Sequence, residues 1–193
     1  IALLEAYEEP LARAGASILT ARRKYVESIS EPFRDNLSQI LNETLVGMIR
    51  YRSSIDVNDD KIIDSLRSTW ANERSKDRDR GFTQRGPHAD DLVISISGRS
   101  ARVYGSKGQQ RSLVLALKTA EIQLLNEKLG CAPIVLLDDV SSELDYQRNA
   151  RFFEFLGGFK GQVFITTTDP NFLLIDGNKS LWHVHDGRIV SEE

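Results

Sequence analysis

Along the first forty positions apolar residues recur at helical spacing, with Leu11, Ile18, Tyr25 and Ile29 falling along one side. Pro10 and Pro32 lie within this stretch, and proline suits a break or the first turn of a helix, so residues 1–41 predict two or three helices. Residues 44–55 carry Leu45, Val46, Met48, Ile49 and Tyr51 and read as a strand. The run Asp56-Val57-Asn58-Asp59-Asp60 then supplies turn chemistry, with Asn58 or Asp59 placed to cap a helix. That helix carries Ile62, Ile63, Leu66 and Trp70, becomes wholly polar over 72–80 and stops at Gly81.

Beyond Gly81 the apolar runs shorten. Segments 92–96, 101–104, 133–137, 163–167 and 181–184 read as strands. Between them, 109–128 places Leu113, Leu117, Ala120 and Leu124 on one helical face, and 146–156 carries Phe152, Phe153 and Phe155. Alternating strands and helices imply a layered α/β domain. Ile134-Val135-Leu136-Leu137 is apolar on both faces, which suits a central strand covered on both sides. A boundary near 81–86 divides a helical or α+β domain, 1–83, from an α/β domain, 84–193. No internal repeat is visible.

Composition narrows the function classes. With 40% hydrophobic and 27% charged residues the chain is globular rather than disordered, and a net charge of −3 names no partner. The lone Cys131 cannot form an internal disulfide, and no apolar run approaches the roughly 20 residues a membrane helix needs. A cytoplasmic protein with no membrane partner is expected. The chain opens on Ile1 without a signal-peptide pattern, so a preceding segment is expected.

Candidate chemistry begins at Asp138 and Asp139, which end the buried run 134–137. Ligands of open α/β sheets gather at the carboxyl ends of strands, where Asp138 could hold Mg2+ and Asp139 could orient or deprotonate a water that attacks a phosphate. Two acids there equally suit the loop before a helix. Upstream, Gly105-Ser106-Lys107-Gly108-Gln109-Gln110-Arg111 leads into the amphipathic helix, offering glycine turns, a capping hydroxyl and the N–H groups of a helix start to an anion. The same residues also suit an ordinary turn and cap. His88, Asp90 and Asp91 lack a partner histidine at ligand spacing and read as a structural turn. Arg22-Arg23-Lys24 and Arg50-Tyr51-Arg52 could hold nucleic-acid phosphates, but a solvated helix face and an ordinary strand pair account for them, so DNA-contacting residues stay unassigned. Trp70 and Trp182 read as core or boundary packing.

Ser106 to Arg111 resembles the signature loop of ABC-type ATPases in the form found in the RecF family of DNA replication and repair proteins. Val135 to Asp139 resembles the Walker B strand, Ser142-Glu143-Leu144-Asp145 the D-loop, and Gln162 to Asp169 the switch strand, with Thr167 and Thr168 where many relatives carry histidine. Gly86-Pro87-His88-Ala89-Asp90-Asp91-Leu92 resembles a segment characteristic of RecF proteins. The resemblance implies the C-terminal half of an ABC-type P-loop ATPase head, preceded by a mainly helical α+β domain. It implies Asp138 as the Mg2+ ligand and Asp139 as the catalytic carboxylate. It also implies that Ser106, Lys107, Gly108, Gln109, Gln110 and Asp145 act in trans on ATP held by a partner head. ATP-driven homodimerisation, binding of single-stranded and gapped DNA, RecR and RecO partners and help in loading recombinase complete the expectation. No Gly-x-x-x-x-Gly-Lys-Ser/Thr loop occurs, so this stretch is expected to be inactive alone and the intact protein to be a slow ATPase. Alternatives are another DNA-maintenance ABC-type head, whose long heptad arm is absent from 1–80, a nucleotide-inactive binding module, and a metal-dependent hydrolase built on Asp138, Asp139 and His88.

Overall fold

Ala12, Leu19, Val26, Phe33 and Ile40, seven residues apart, are all buried, with Gly15, Ile29 and Asn36 forming a second buried row three positions on. This seam makes α1 (Ala2–Leu41) one continuous helix in the computed structural model, which describes residues 2–41, 45–55, 61–138, 146–175 and 179–191. The expected breaks at Pro10 and Pro32 do not occur. An interior proline costs a helix about 3 kcal/mol, whereas burying each of Leu19, Val26, Ile29, Phe33, Leu37 and Ile40 contributes roughly 1.5–3 kcal/mol, so the seam outweighs both prolines. Leu11 and Ile18 lie one position off the seam and are 56% and 44% exposed.

The chain divides into two compact units, 1–124 and 125–193. In the first, β1 (Gly47–Arg52) starts against α1 so closely that a Cβ on Gly47 would penetrate Leu37 Cδ2 and lie 3.4 Å from Phe33 Cε1. β1 pairs antiparallel with β2 (Asp91–Ile96), and β2 with the short β3 (Arg99–Ser100) across Ser97 and Gly98, whose φ values of +46° and +78° suit a tight hairpin turn. Strands from both sides of residues 83 and 84 therefore share one sheet. α2 (Ile62–Arg80) packs on α1 where Leu66 Cδ1 would lie 3.2 Å from a Cβ on Gly15, and Arg74 pairs with Glu8 at 2.7 Å. It ends on Gly81, left-handed at φ +77°, whose N–H donates to Asp77 O at 2.8 Å. The expected Asn58 or Asp59 cap lies outside the described residues.

Segment 101–104, expected as a strand, is a helical turn, α3 (Ala101–Tyr104). β3 has already used Arg99 and Ser100 for pairing, and closure of Gly105 N–H on Ala101 O at 3.0 Å with burial of Ala101 overrides the strand propensity of Val103 and Tyr104. α4 (Lys107–Leu129) follows directly and ends at Gly130, φ +65°.

In the second unit, β4 (Val135–Asp138) and β5 (Val163–Thr166) are parallel neighbours joined through α5 (Tyr146–Gly158), which buries Asn149, Phe152, Phe153 and Leu156. β4 is not covered on both faces among the described residues: Val135 is 7% exposed, Ile134 and Leu136 are 65% and 75% exposed. A continuous apolar run reports that both faces are apolar, not that both are covered. The hairpin β6 (Trp182–His185) and β7 (Arg188–Ser191) turns at Asp186 and Gly187, both at positive φ, and Trp182 is 53% exposed rather than packed inside. No described helix is long and apolar enough to cross a membrane.

The loop 83–90 is tied down from three directions, by residues 51–54, by α1 and by α2. Asp90 accepts from the Tyr51 hydroxyl, from Ser53 Oγ at 3.4 Å and from Ser54 N–H at 2.7 Å. Ser54 Oγ donates to Gly86 O at 3.0 Å and accepts from Gly86 N–H at 2.9 Å, while Arg22 donates to Pro87 O and Trp70 Nε1 to Arg85 O. His88 Nε2 lies 2.6 Å from Thr83 O, and Asp91 pairs with Arg52 at 3.0 Å. These side chains are engaged in holding a turn. Burial, then the bond to Asp90, push the Tyr51 phenol from 10.0 to about 12, with Arg22 opposing. The folded state thus favours the neutral phenol, and its contribution is complete below pH 10 and lost as pH rises through about 12. Urea titrations over that window should show stability falling, with a smaller fall for Tyr51→Phe; an identical slope in the variant would contradict the assignment.

Candidate functional site

The turn from α3 into α4 is built by its own hydrogen bonds. Gly105 admits no side chain, since a Cβ would lie 2.5 Å from Ala101 O. Ser106 and Gln109 form a reciprocal capping box: Gln109 N–H donates to Ser106 Oγ at 3.2 Å, and Ser106 N–H to Gln109 Oε1 at 3.0 Å. Gln110 N–H reaches Ser106 O at 2.9 Å, closing the first helical turn, and its Nε2 donates to Ala101 O and Gly105 O at 3.2 and 3.1 Å. Ser112, fully buried, donates to Gly108 O at 3.0 Å.

Of the first N–H groups of α4, those of Ser106 and Gln109 are satisfied by the box, and the N–H groups of Lys107 and Gly108 have no carbonyl behind them within the helix. The helix dipole favours an acceptor there, and Lys107 and Arg111 are exposed close by. The arrangement can hold an oxyanion. The side chains of Gln109 and Gln110 bond within the turn and shape it, which spacing alone could not reveal.

In the second unit, Asp138 is exposed at the carboxyl end of β4, and the β4–β5 register sets it opposite Thr166, whose Oγ1 donates to Asp138 Oδ1. Thr166 lies outside the candidate positions that motif spacing singles out; the parallel register, invisible in a single strand, brings it to the site. Thr167, expected in the switch, uses its hydroxyl locally, donating to Asp169 O at 3.0 Å and accepting from Asp169 N–H at 3.2 Å. Asp169 Oδ1 in turn accepts from Asn171 N–H at 2.9 Å, capping the turn Pro170–Phe172. Thr168 is exposed. Asp139 and the D-loop residues, Asp145 included, lie outside the described residues. Among the described residues no group of three or more histidine, cysteine, aspartate or glutamate side chains could hold a metal. Mg2+ needs only one or two carboxylates beside water and phosphate oxygens, so exposed Asp138, engaged by Thr166 through one oxygen, fits that requirement.

The chain matches curated relatives called DNA replication and repair protein RecF. Those of Anaeromyxobacter sp. (strain Fw109-5) and Geobacter sulfurreducens are 43% and 40% identical over 175 and 178 residues, covering 86% and 90% of this chain. That of Myxococcus xanthus is 40% identical over 197 residues, covering 97%. The chain spans about half the length of these relatives, 47%, 48% and 51%. No family model matches. Two solved structures, described as the recombination mediator protein RecF with ATPrS and with ATP in the RecFOR pathway, superpose with TM-scores of 0.83 at 33% and 32% identity, covering 98% and 100% of this chain and 50% and 51% of theirs. An SMC ATPase at 16% identity, TM-score 0.52, covered over 90% of this chain and 89% of its own, shares the fold alone. The fold is that of an ABC-type ATPase head in its C-terminal part, with mainly helical α+β structure before it.

Loss of the capping hydroxyl in Ser106→Ala should lower unfolding free energy by about 1 kcal/mol in urea titrations. Because Ser106 and Gln109 satisfy one another, Ser106→Ala with Gln109→Ala should cost less than the sum of the single changes. Strict additivity would show that the box does not act as a unit.

Proposed function

This chain belongs to the RecF family of DNA replication and repair proteins, and from that premise we propose that its α4 start completes an ATP site held by a partner copy. The observation that carries this reading is the capped, exposed turn at Ser106, which leaves the N–H groups of Lys107 and Gly108 available to phosphate oxygens. Gly105 and the two glutamines hold that turn open without a side chain crossing it. ATP bound across two copies then makes the dimer a direct readout of nucleotide.

Within the same chain, Asp138 would hold Mg2+, with Thr166 fixing the direction of the carboxylate. Bound Mg2+ supplies charge neutralisation at the transferring phosphate. Asp139, next along the chain, serves as the catalytic carboxylate that orients or deprotonates the attacking water. Asp145 meets the partner's nucleotide, and Thr168, exposed, lies on the switch segment next to Thr167. ATP is hydrolysed slowly by the intact protein. The relatives described with ATP and ATPrS support nucleotide binding. By the same kinship, the ATP-bound homodimer binds single-stranded and gapped DNA and helps load recombinase with RecO-type and RecR-type partners.

The test is light scattering of the full-length protein with and without ATP. Wild type should dimerise on ATP, and Ser106→Arg, which fills the turn with a long side chain, should stay monomeric while still binding ATP. A variant that dimerises normally would overturn the reading.

A further inference from the structure

α1 holds α4 by two side-chain bonds that lie on opposite sides of α4. Tyr25 Oη donates to Glu121 Oε1 at 2.8 Å, and Asn36 Nδ2 donates to Gln123 Oε1 at 3.0 Å. Tyr25 and Asn36 are about 16 Å apart along α1, while Glu121 and Gln123 are roughly 200° apart around α4. Only a helix that crosses α1 between the two donors meets both. Ala116, Thr119 and Ala120 are buried on α4, as are Ile29 and Phe33 on α1 between the donors. Lys118 Nζ steadies Glu121 through Oε2 at 2.7 Å.

Burial alone does not require these polar groups, since an apolar residue of similar shape could cover the same area with little change in stability. Polar pairs at a crossing add direction. Ser106 lies about 22 Å from Glu121 along α4, so a tilt of roughly 5° would move the capped turn by about 2 Å. A displacement of about 1 Å can cost on the order of a hundredfold in a positioned reaction.

We propose that Tyr25 and Asn36 are positioning residues: a two-point clamp on Glu121 and Gln123 that fixes the direction of α4 and so where Ser106, Lys107 and Gly108 meet the partner's phosphate. This rests on the nucleotide reading given above. The clamp lies outside the nucleotide-facing turn and touches no substrate.

In the full-length protein, Tyr25→Phe combined with Asn36→Leu should leave ATP affinity of the monomer within about twofold and lower kcat on the order of a hundredfold, with ATP-driven dimerisation weakened as well. Glu121→Gln keeps an acceptor for the phenol and should retain activity, whereas Glu121→Leu should lose it. Equal rates for Glu121→Gln and Glu121→Leu, or a double variant that dimerises and turns over like wild type, would overturn the clamp. Ser106→Arg separates the two ideas. If it dimerises normally the nucleotide reading fails, and the clamp is then judged by amide hydrogen exchange at Lys107 to Gln109. Faster exchange there in the double variant supports the clamp, and unchanged exchange overturns it.

Discussion

Burial of one continuous face of α1 is the constraint on which the first unit depends. Leu19, Ile29, Phe33 and Leu37 are fully enclosed, and the neighbouring elements take their positions from this face. The close approach of Gly47 to Leu37 and Phe33 sets where β1 begins, and β1 sets the register of β2. Leu66 against Gly15 places α2. Because dense packing resists small displacements, these contacts make α1 a rigid reference rather than a flexible linker.

Polar groups then add direction to what apolar burial holds together. Arg22, Tyr25 and Asn36 project from α1 to the loop at Pro87 and to Glu121 and Gln123 of α4. Glu121 shows the balance of forces: burial alone would raise its pKa, but hydrogen bonds from Lys118 and Tyr25 hold it below the usual carboxylate range. Its depressed pKa means a contribution present above the unfolded value and lost as pH falls through the folded one. The capping box at Ser106 and the Thr166 bond to Asp138 are local versions of the same principle, each fixing one functional group by one or two bonds.

Local chemistry was legible in the sequence wherever it acts over a few residues. Gly81 ends α2, the Ser106 turn opens α4, and Asp138 closes a strand, each signalled by residue type and spacing. Features decided by distant packing were not legible. Pro10 and Pro32 read as breaks because nothing local reports the seam that carries the helix through them. Val103 and Tyr104 favour a strand, yet β3 had already taken the available pairing edge. The pairing of β1 with β2 across α2 is likewise set by residues some forty positions apart and leaves no local signal. Thr166 became visible only through the register of β5 on β4. Family motifs signal kinship, while the bonds of Gln109 and Gln110 within the turn depend on how the chain closes at Gly105.

The central claim is that the α4 turn of one copy acts on nucleotide held by another, and mixing two inactive full-length variants tests it most directly. Ser106→Arg disables the turn, and Asp139→Asn removes the carboxylate proposed to serve the chain's own nucleotide. If the site is shared, the Ser106→Arg copy pairs through its partner's intact turn, so mixed dimers hold one intact composite site of two, and an equal mixture should regain ATP hydrolysis, at most about a quarter of wild type. A mixture as inactive as either variant alone would contradict the account.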